Sequence, residues 1–314
     1  PEKVSGILIS FSTGILLKIS SVYIIVFVVS LAITHTFIDF IPSILLGCPD
    51  TSTELSVLPG HELLKKGQGF QAIVLSVYGS FVAIILLLII SYPSLKIIPL
   101  MFSQIKNILP YLLVGVSLLM IYLEKKKPTA FFVFIISGLL GWSVLNLEGI
   151  KQPLLPLLTG LFGSSMLIMS IKNKPQIPKQ EISRKNLFSI INKKSFSKSV
   201  LGSLIASPLC SFLPGLGAGQ AAIIGNTLSN ASKKNKKKNY NKEDNKKGFL
   251  VLLGTTNTLV MGFSFITLYL LSKTRTGAAA AIKSISGSLT QEILILILIK
   301  LVIIMKIYNL FLHI

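Results

Sequence analysis

Long apolar runs are the feature that most restricts what this chain can fold into. Four continuous runs occupy 70–92, 107–123, 128–147 and 153–171. Each comes near the ~20 residues that a helix needs to cross ~30 Å of hydrocarbon. The chain is 51% hydrophobic and 13% charged, with a mean hydropathy of +0.74, which is too apolar for a soluble domain. Because the runs do not alternate as strands of a membrane barrel would, we predict an all-α, multi-pass membrane protein.

Basic residues are concentrated in the hydrophilic stretches of the chain. The net charge is +20, and about half of the 31 Lys and Arg lie in 172–198 and 233–247. Nucleic-acid binding is one explanation of such charge, but retention of basic loops on the cytoplasmic side explains it more simply. We therefore expect no nucleic-acid partner and a cell-membrane location with cytoplasmic basic loops. The predicted parts are an N-terminal membrane half at 1–171, a basic linker at 172–198, and a C-terminal membrane half at 199–314 that contains a basic loop at 229–247.

One apolar segment, 207–226, has a composition that a continuous spanning helix would not use. It reads SPLCSFLPGLGAGQAAIIGN, in which Pro214 removes a backbone donor and the following glycines permit close backbone approach. Such an interruption is tolerated in a bilayer only where it is buried in protein or lines a wet cavity. In secondary transporters, the helix N-termini at such breaks face anionic substrates. The alternative is that the small residues only allow tight helix packing. The predicted substrate-binding positions here are Pro214, Gly215, Gly217, Gly219 and Gln220.

The charge pattern gives a separate argument that this segment is re-entrant. The basic stretches 172–198 and 233–247 flank it, and both are predicted to be cytoplasmic. They lie on one side of the membrane only if the segment between them enters and leaves through the same face. We therefore predict a hairpin that is broken at Pro214 and Gly215.

A second polar interruption follows the helix predicted at 20–34. Pro42 and Pro49 divide an apolar run that leads into a cluster of carboxylates and hydroxyls. Asp39 and Asp50 are candidates for coupling to a proton or cation, because acidic groups at membrane depth are usually functional. The alternative for 50–53 is capping of the next helix at the water interface. For His35 we favour a structural role over a proton relay. The predicted substrate-binding positions here are Pro42, Ser43, Gly47, Asp50, Thr51, Ser52 and Thr53.

A third polar element, 253–262, reads LGTTNTLVMG inside an apolar run. Asn257 can offer donors to a carboxylate or a carbonyl oxygen to a cation. It is therefore both a substrate-binding and an ion-coupling candidate, together with Thr256 and Thr258. The alternative is interhelical hydrogen bonding worth about 1 kcal/mol. The segment 40–47 also weakly repeats the pattern of 212–219, and paired interruptions in two halves are typical of a transporter site.

Four sequence blocks resemble one known family. They are THTFIDFIPSILLGCPD, SVLPGHELLKKGQGFQA, FLPGLGAGQAAIIG and LGTTNTLVMG. Together they resemble the large membrane subunit of the tripartite tricarboxylate transporters, the TctA type, and in particular its divergent archaeal branch. The resemblance covers nearly the whole chain. It implies a permease of two related halves with re-entrant broken hairpins, which takes up carboxylates by using an ion gradient.

The resemblance also implies two partners, a small membrane subunit and an extracytoplasmic solute-binding protein, although members of the archaeal branch are candidates for acting alone. The sequence departs from the family pattern at two places. The Pro-Gly element expected near the start of the first half is absent, so we expect it before Pro1. A Thr-Thr-Asn-Thr version at 255–258 stands in place of the bacterial Pro-Glu-Ala-Ala-Asn-Asn element, which leaves the tricarboxylate specificity open.

Two other function classes have less support in the sequence. An intramembrane enzyme would need catalytic groups, but the three histidines have no His-Glu-x-x-His spacing and the two cysteines alone make no metal site. A membrane scaffold would use the basic loops to bind partners. We predict a non-enzymatic permease for a small organic anion, with no metal or cofactor apart from a coupling Na⁺ or H⁺.

Overall fold

The computed structural model describes the chain as helices separated by short connections. The described residues are 21–46, 53–105, 109–124, 126–147, 160, 164, 168, 171–172, 178–180, 190–212, 217–231, 242–287 and 289–299. We label the helices α1 (Ser21–Ile38), α2 (Phe40–Leu46), α3 (Val57–Leu64), α4 (Gly69–Ile105), α5 (Leu109–Leu123), α6 (Lys127–Leu145), α7 (Lys193–Phe212), α8 (Ala218–Ala231), α9 (Lys242–Leu271) and α10 (Gly277–Ser286). A single 3₁₀ turn, Glu54–Ser56, precedes α3.

Four of the described helical segments are long and apolar enough to cross a membrane. They are Ser21–Leu46, Gly69–Leu100, Lys127–Val144 and Glu243–Leu271. The described residues include no strand. These findings confirm the predicted all-α membrane protein. The chain forms two compact units, one made of 1–97 and 175–314 and the other of 98–174.

In the first unit, α1 and α2 form one nearly continuous helical segment. The Asp39 N–H donates to the carbonyl oxygen of His35 at 3.0 Å, and the Ser43 N–H donates to that of Asp39 at 3.4 Å. Pro42 lies in the first turn of α2, where a proline costs little because the first N–H groups of a helix lack internal partners. The helix is divided at Asp39, three residues before Pro42, and continues to Leu46; the predicted interruption at Pro42 and Pro49 stays a prediction, because Pro49 lies outside the described residues.

The helices α7 and α8 form a hairpin around a break. Helix α7 passes through Pro208 and ends at Phe212, and α8 begins at Ala218. Gly202 of α7 lies against the carbonyl group of Gly225 of α8, and these two positions are nearly equidistant from the break. The two helices therefore run antiparallel, which is the chain reversal that the charge pattern predicts.

The helices α4 and α9 cross at small residues, which let the two backbones approach closely. The Thr255 hydroxyl donates to the Gly79 carbonyl at 3.2 Å, and the Ser80 hydroxyl donates to the Gly254 carbonyl at 3.2 Å. A Cβ added at Gly79 would stand 3.0 Å from the Thr255 nitrogen. Small residues permit such close backbone approach in membrane helix pairs. Thr255 therefore serves the helix crossing.

Ion pairs join the beginnings of α4 and α9. Lys66 Nζ lies 3.1 Å from Glu243 Oε2, and Lys247 Nζ lies 3.3 Å from Glu243 Oε1. Lys246 pairs with Glu62. These contacts hold α3 and the turn that follows it beside the end of the predicted basic stretch 233–247. Their cytoplasmic location stays a prediction.

The polar linker docks onto the first half of the chain. The Gln180 side-chain oxygen accepts from the Gly69 N–H at 2.8 Å, and its nitrogen donates to the Leu64 carbonyl at 3.2 Å. Gln180 therefore satisfies backbone groups at the end of α3 and at the beginning of α4. Beneath this turn, buried apolar side chains of α2, α3, α4 and α9 form one core cluster, which includes Phe40, Leu63, Leu75 and Leu250.

The second unit contains α5 and α6, which are joined by a short turn. The Lys127 ammonium lies 4.2 Å from the centroid of the Tyr122 ring across this turn. Many apolar side chains of α6 are exposed, Phe132 and Trp142 among them. Such exposure suits a helix whose surroundings are hydrocarbon.

Candidate functional site

The described part of the chain holds ten of the sequence-predicted site positions. Gly47, Asp50, Thr51, Ser52, Pro214 and Gly215 lie outside the described residues. The positions that the structure describes are Asp39, Pro42, Ser43, Thr53, Gly217, Gly219, Gln220, Thr256, Asn257 and Thr258.

The first turn of α8 is built around Gln220. Its side-chain oxygen accepts a hydrogen bond from the Gly217 N–H at 2.9 Å, and the Ala221 N–H donates to the Gly217 carbonyl at 3.1 Å. Gln220 thus satisfies one of the backbone donors that the beginning of a helix leaves without an internal partner. Gly219 lies in the same turn. The remaining first-turn donors and the positive end of the helix dipole attract negative charge.

One residue of α7 and one of α9 each carry a buried polar side-chain atom that has no hydrogen-bond partner among the described residues. They are Asn257 of α9, which is 4% exposed, and Ser207 of α7, which is 0% exposed. The unpartnered atoms are Asn257 Nδ2 and Ser207 Oγ. A buried donor without an acceptor costs about 1–3 kcal/mol, so each such group needs an explanation. A bound ligand that supplies acceptor oxygens would remove this cost.

Contacts along α7 and α9 place these two side chains at the same level. The Ser195 hydroxyl donates to the Asp244 carbonyl at 3.1 Å, and a Cβ added at Gly248 would lie 3.0 Å from the Ser199 hydroxyl. The helices therefore run in the same direction, and this register aligns Ser207 with Asn257.

The beginning of α8 lies at this level too. Ala206 and Cys210 of α7 pack with Ala221 of α8 in one buried cluster, and Val260 of α9 packs against it. Ser207 and Asn257 therefore lie close, along the helix axes, to the point where α7 ends and α8 begins. This region is the candidate site.

The threonines of the Thr-Thr-Asn-Thr element have internal partners. The Thr256 hydroxyl donates to the Leu253 carbonyl at 3.0 Å. The Thr258 hydroxyl lies 3.0 Å from that of Thr36 in α1, and both residues are buried. Thr258 therefore makes an interhelical hydrogen bond, whereas the Asn257 amide nitrogen has no partner among the described residues.

Ser43 and Thr53 belong to a buried hydroxyl cluster. The Ser43 hydroxyl lies 2.6 Å from the Ser56 hydroxyl and 3.2 Å from the Thr53 carbonyl oxygen. The Ser56 hydroxyl also donates to this carbonyl at 2.6 Å. The cluster holds the end of α2 close to the beginning of α3. Sequence reasoning did not single out Ser56, because nothing in its local pattern indicates a partner thirteen positions away.

Asp39 lies in a pair that the sequence analysis did not predict. The His35 Nδ1 atom lies 2.6 Å from Asp39 Oδ2, and the Asp39 side chain is 8% exposed. The i, i+4 spacing of these residues could have indicated the pair, because the chain stays helical across Asp39. Thr36, in the same turn, connects the pair to α9 through Thr258.

Two further titratable groups lie outside the spanning segments. Burial lowers the pKa of the Arg275 guanidinium, just before α10, below its ordinary value. Burial also lowers the pKa of His61 in α3; the charge of Lys65 acts in the same direction, and a hydrogen bond with the Ile44 backbone opposes both.

The comparisons with known proteins identify the family. A family model described as the tripartite tricarboxylate transporter TctA family matches residues 4–314. The chain belongs to the TctA family. This finding confirms the resemblance seen in the four sequence blocks. The family is described as one of transporters, which points away from an enzyme, and the long apolar helices fit a protein that is integral to the membrane.

An archaeal protein is similar to this TctA-family chain. The uncharacterized protein MJ1079 of Methanocaldococcus jannaschii is 30% identical over 268 residues, a region that covers 84% of the chain. The chain spans 63% of the length of that relative. This similarity is consistent with the archaeal branch. No solved structure matches the chain.

Proposed function

We propose that this TctA-family chain is a membrane permease for a small organic anion of the carboxylate class, which it moves by secondary, ion-coupled transport. The observation that carries the proposal is the unpartnered Asn257 amide at the level of the break between α7 and α8. The alternatives, a membrane scaffold and an intramembrane enzyme, find no comparable support in the described residues.

The chemistry of these groups suits a carboxylate. The Asn257 amide supplies up to two N–H donors and the Ser207 hydroxyl one, while the first turn of α8 supplies backbone N–H groups. Donors arranged at a helix N-terminus favour negative charge. Gln220, which bonds the Gly217 N–H, is positioned to release that donor to an arriving anion. The broken hairpin thereby becomes the binding element.

The lack of lysine and arginine along α8 and most of α7 and α9 supports ion coupling. Neither 199–231 nor 248–271 contains a lysine or arginine. A carboxylate that enters a site of low dielectric without an opposite charge pays a large desolvation cost. A co-transported Na⁺ or H⁺ would supply that charge. Asp39, Asp50 and Asn257 are the proposed coupling residues.

The location and partners of the whole protein are part of the same proposal. The basic segments that meet at Lys66 and Glu243 would face the cytoplasm, following the positive-inside rule. A solute-binding protein and a small membrane subunit would then act from the extracytoplasmic side and within the bilayer. Their contribution is tested by comparing uptake with and without them.

Binding measurements on the purified full-length protein test the proposal. Citrate, succinate and malate are the probes, each assayed by calorimetry and by thermal shift with and without Na⁺. We expect at least one acid to bind and to raise the melting temperature. Asn257→Leu should weaken binding more than about tenfold, because the replaced amide contacts the anion. Asn146→Leu, an exposed change at the end of α6, is the matched control. Unchanged affinity in Asn257→Leu, or binding of none of the acids, rejects the proposal.

A further inference from the structure

The turn between α9 and α10, residues 272–276, folds back along α9 toward the candidate site. We propose that Arg275 and the first turn of α10 form a second subsite, which holds a second carboxylate of the transported anion while Asn257 holds the first. The inference rests on the proposed function and deepens it, because it assigns a residue that selects acids with two or more carboxylates over acids with one.

A hydrogen bond fixes where α10 begins. The Ser264 hydroxyl of α9 lies 3.0 Å from the hydroxyl of Thr276, the residue just before α10. Ser264 follows Asn257 by seven residues. Seven residues make two turns of helix, so these two residues lie on the same face of α9, about 10 Å apart along its axis. The beginning of α10 and the adjacent Arg275 therefore lie beyond Asn257 on that face.

The same face of α9 is close to the broken hairpin. Val260, which packs against the buried cluster of α7 and α8, lies within about 60° of both Asn257 and Ser264 around the helix. The register that aligns Ser207 with Asn257 places Phe212, where α7 ends, between one and two turns further along, toward Ser264. The end of α7 and the beginning of α10 therefore both lie near the level of Ser264.

Helix α10 runs in the same direction as α9, with its beginning nearest to Asn257. The Lys283 ammonium of α10 donates to the Ser272 carbonyl, just after α9, at 2.7 Å. Between the Ser264–Thr276 contact and this one, the α9 segment advances by eight residues and the α10 segment by seven. The positive end of the α10 dipole therefore points back along α9, toward the level of Asn257.

The first turn of α10 supplies hydrogen-bond donors for an anion. The Thr276 hydroxyl accepts from the Ala279 N–H at 3.2 Å and so caps one of the backbone donors. The N–H groups of Gly277 and Ala278 belong to the same turn, in which a helix provides no internal acceptors. Gly277 and Ala278 also have little side chain to keep an anion away from the backbone. Helix N-termini of this kind favour carboxylates and phosphates.

Arg275 adds a fixed positive charge beside this turn. It is half-buried, and it stays charged although burial lowers its pKa, because the ordinary pKa of arginine lies far above neutral pH. A guanidinium can bind a carboxylate through two parallel N–H donors. Arg275 lies beyond 248–271, the stretch of α9 that has no lysine or arginine. The carboxylate at Asn257 therefore still relies on the coupling ion.

Two buried donors indicate that a ligand occupies the space next to this turn. Asn257 Nδ2 and Ser207 Oγ have no partners among the described residues, and these residues are 4% and 0% exposed. Buried donors of this kind need an acceptor, which the first carboxylate would supply. The separation of about 10 Å between Asn257 and the beginning of α10, shortened by the lengths of the Asn257 and Arg275 side chains, suits an acid whose two carboxylates are a few carbons apart.

A matched pair of acids tests for the second subsite. Succinate carries two carboxylates, butyrate carries one on a chain of the same length, and both are fully ionised at about pH 8. Each acid is titrated into the purified full-length protein with Na⁺ present. The wild-type protein should bind succinate at least about tenfold more tightly than butyrate, because only the second carboxylate gains the charge-assisted hydrogen bonds of Arg275.

Three variants assign that preference to Arg275. Arg275→Gln should lower the affinity for succinate about tenfold and leave the affinity for butyrate nearly unchanged. Lys273→Gln, which removes the same charge from an exposed residue of the same turn, should keep the wild-type ratio. Arg275→Lys keeps the charge but loses the paired donors, so it should give an intermediate ratio. A role of Arg275 in stability alone would change both affinities in parallel and leave their ratio unchanged.

Each result decides the inference. Equal affinity of the wild-type protein for succinate and butyrate overturns it without affecting the permease proposal. A ratio that Arg275→Gln leaves unchanged, or that Lys273→Gln lowers by as much, also overturns it. If neither of these acids binds, nor citrate or malate, the permease proposal fails and the inference fails with it. If Arg275→Gln does not fold, the ratio in Arg275→Lys is decisive, and an unchanged ratio overturns the inference.

Discussion

Gly202 of α7 and Gly225 of α8 lie backbone to backbone, so that a Cβ added at Gly225 would stand 2.9 Å from the Gly202 carbonyl oxygen. This contact shows that the chain reverses direction between Phe212 and Ala218, the limits of the break. It also holds the beginning of α8 beside the end of α7, where Ser207 lies. The position of the candidate site therefore depends on two residues that have no side chain.

A larger side chain at Gly225 should push α8 away from α7. A Gly225→Leu side chain would meet the Gly202 backbone, which cannot move without shifting α7, and overpacking of this kind costs about 1–3 kcal/mol. We expect a lower melting temperature in detergent and loss of anion binding. Gly138→Leu in α6 is the control, because an added Cβ there meets no described atom within 4 Å. Equal stability of the two variants would contradict the tight contact.

Substitutions at Thr255 and Asn257 should affect different properties, although the two residues are only two positions apart: protein stability at Thr255 and anion affinity at Asn257. The Thr255 hydroxyl bonds across to Gly79, so Thr255→Val should lower stability by about 1 kcal/mol and leave anion affinity intact. Asn257→Leu should retain stability, because replacing an unpartnered buried amide by an apolar group of similar shape is nearly neutral. Unfolding curves and anion titrations on both variants test this contrast. Reversed effects would reverse the assigned roles.

The ion pairs of Glu243 should give a stability contribution that depends on salt. Glu243 contacts Lys66 and Lys247, and all three side chains are partly exposed. Exposed pairs contribute up to about 1 kcal/mol and are screened at high ionic strength. Glu243→Gln should therefore be less stable than wild type in dilute buffer and nearly equal to it at about 0.5 M salt. Glu124→Gln in the second unit is the control. A difference that persists at high salt would indicate a packing role.

His61 should make folding sensitive to acid. Its pKa is lowered in the folded protein, chiefly by burial, so the unfolded chain binds more protons as the pH falls through about 6.5. The stability that the neutral imidazole provides is present above that pH and is lost below it. The melting temperature of the wild-type protein should therefore fall more between about pH 8 and pH 5.5 than that of His61→Gln. Parallel pH profiles would show that His61 does not carry this effect.

The two basic loops should face the same side of the membrane. Lys66 and Glu243 are in contact, so the segments that carry them end at one level, and the positive-inside rule predicts the cytoplasm. A single cysteine is placed at Lys65 in one variant and at Lys233 in another. Both cysteines should react with an impermeant maleimide in inside-out vesicles, and neither should react in right-side-out vesicles. Opposite labelling of the two positions would contradict the contact between Lys66 and Glu243.

Prediction from sequence succeeded where local composition determines the structure. Apolar runs define the spans, because hydrocarbon accepts only backbone whose hydrogen bonds are satisfied internally. Helix α7 ends at Phe212 and α8 begins at Ala218; Pro214 and Gly215 lie between them, outside the described residues, so the break predicted there stays a prediction. At Pro42 the structure divides the helix at Asp39, one turn earlier, since a proline disturbs the backbone hydrogen bond to the preceding turn. The sequence also predicted that the apolar run at 70–92 ends near Tyr92, whereas α4 continues to Ile105.

By itself, then, the sequence determined the helical membrane class and the family, because each of these depends on composition or on motifs within one segment. Only the tertiary structure decided which polar side chains are satisfied. Thr258 forms a hydrogen bond with Thr36 and Thr255 with Gly79, whereas the Asn257 amide nitrogen has no partner among the described residues. These outcomes depend on register between helices that are far apart in the chain, and hydropathy carries no information about register.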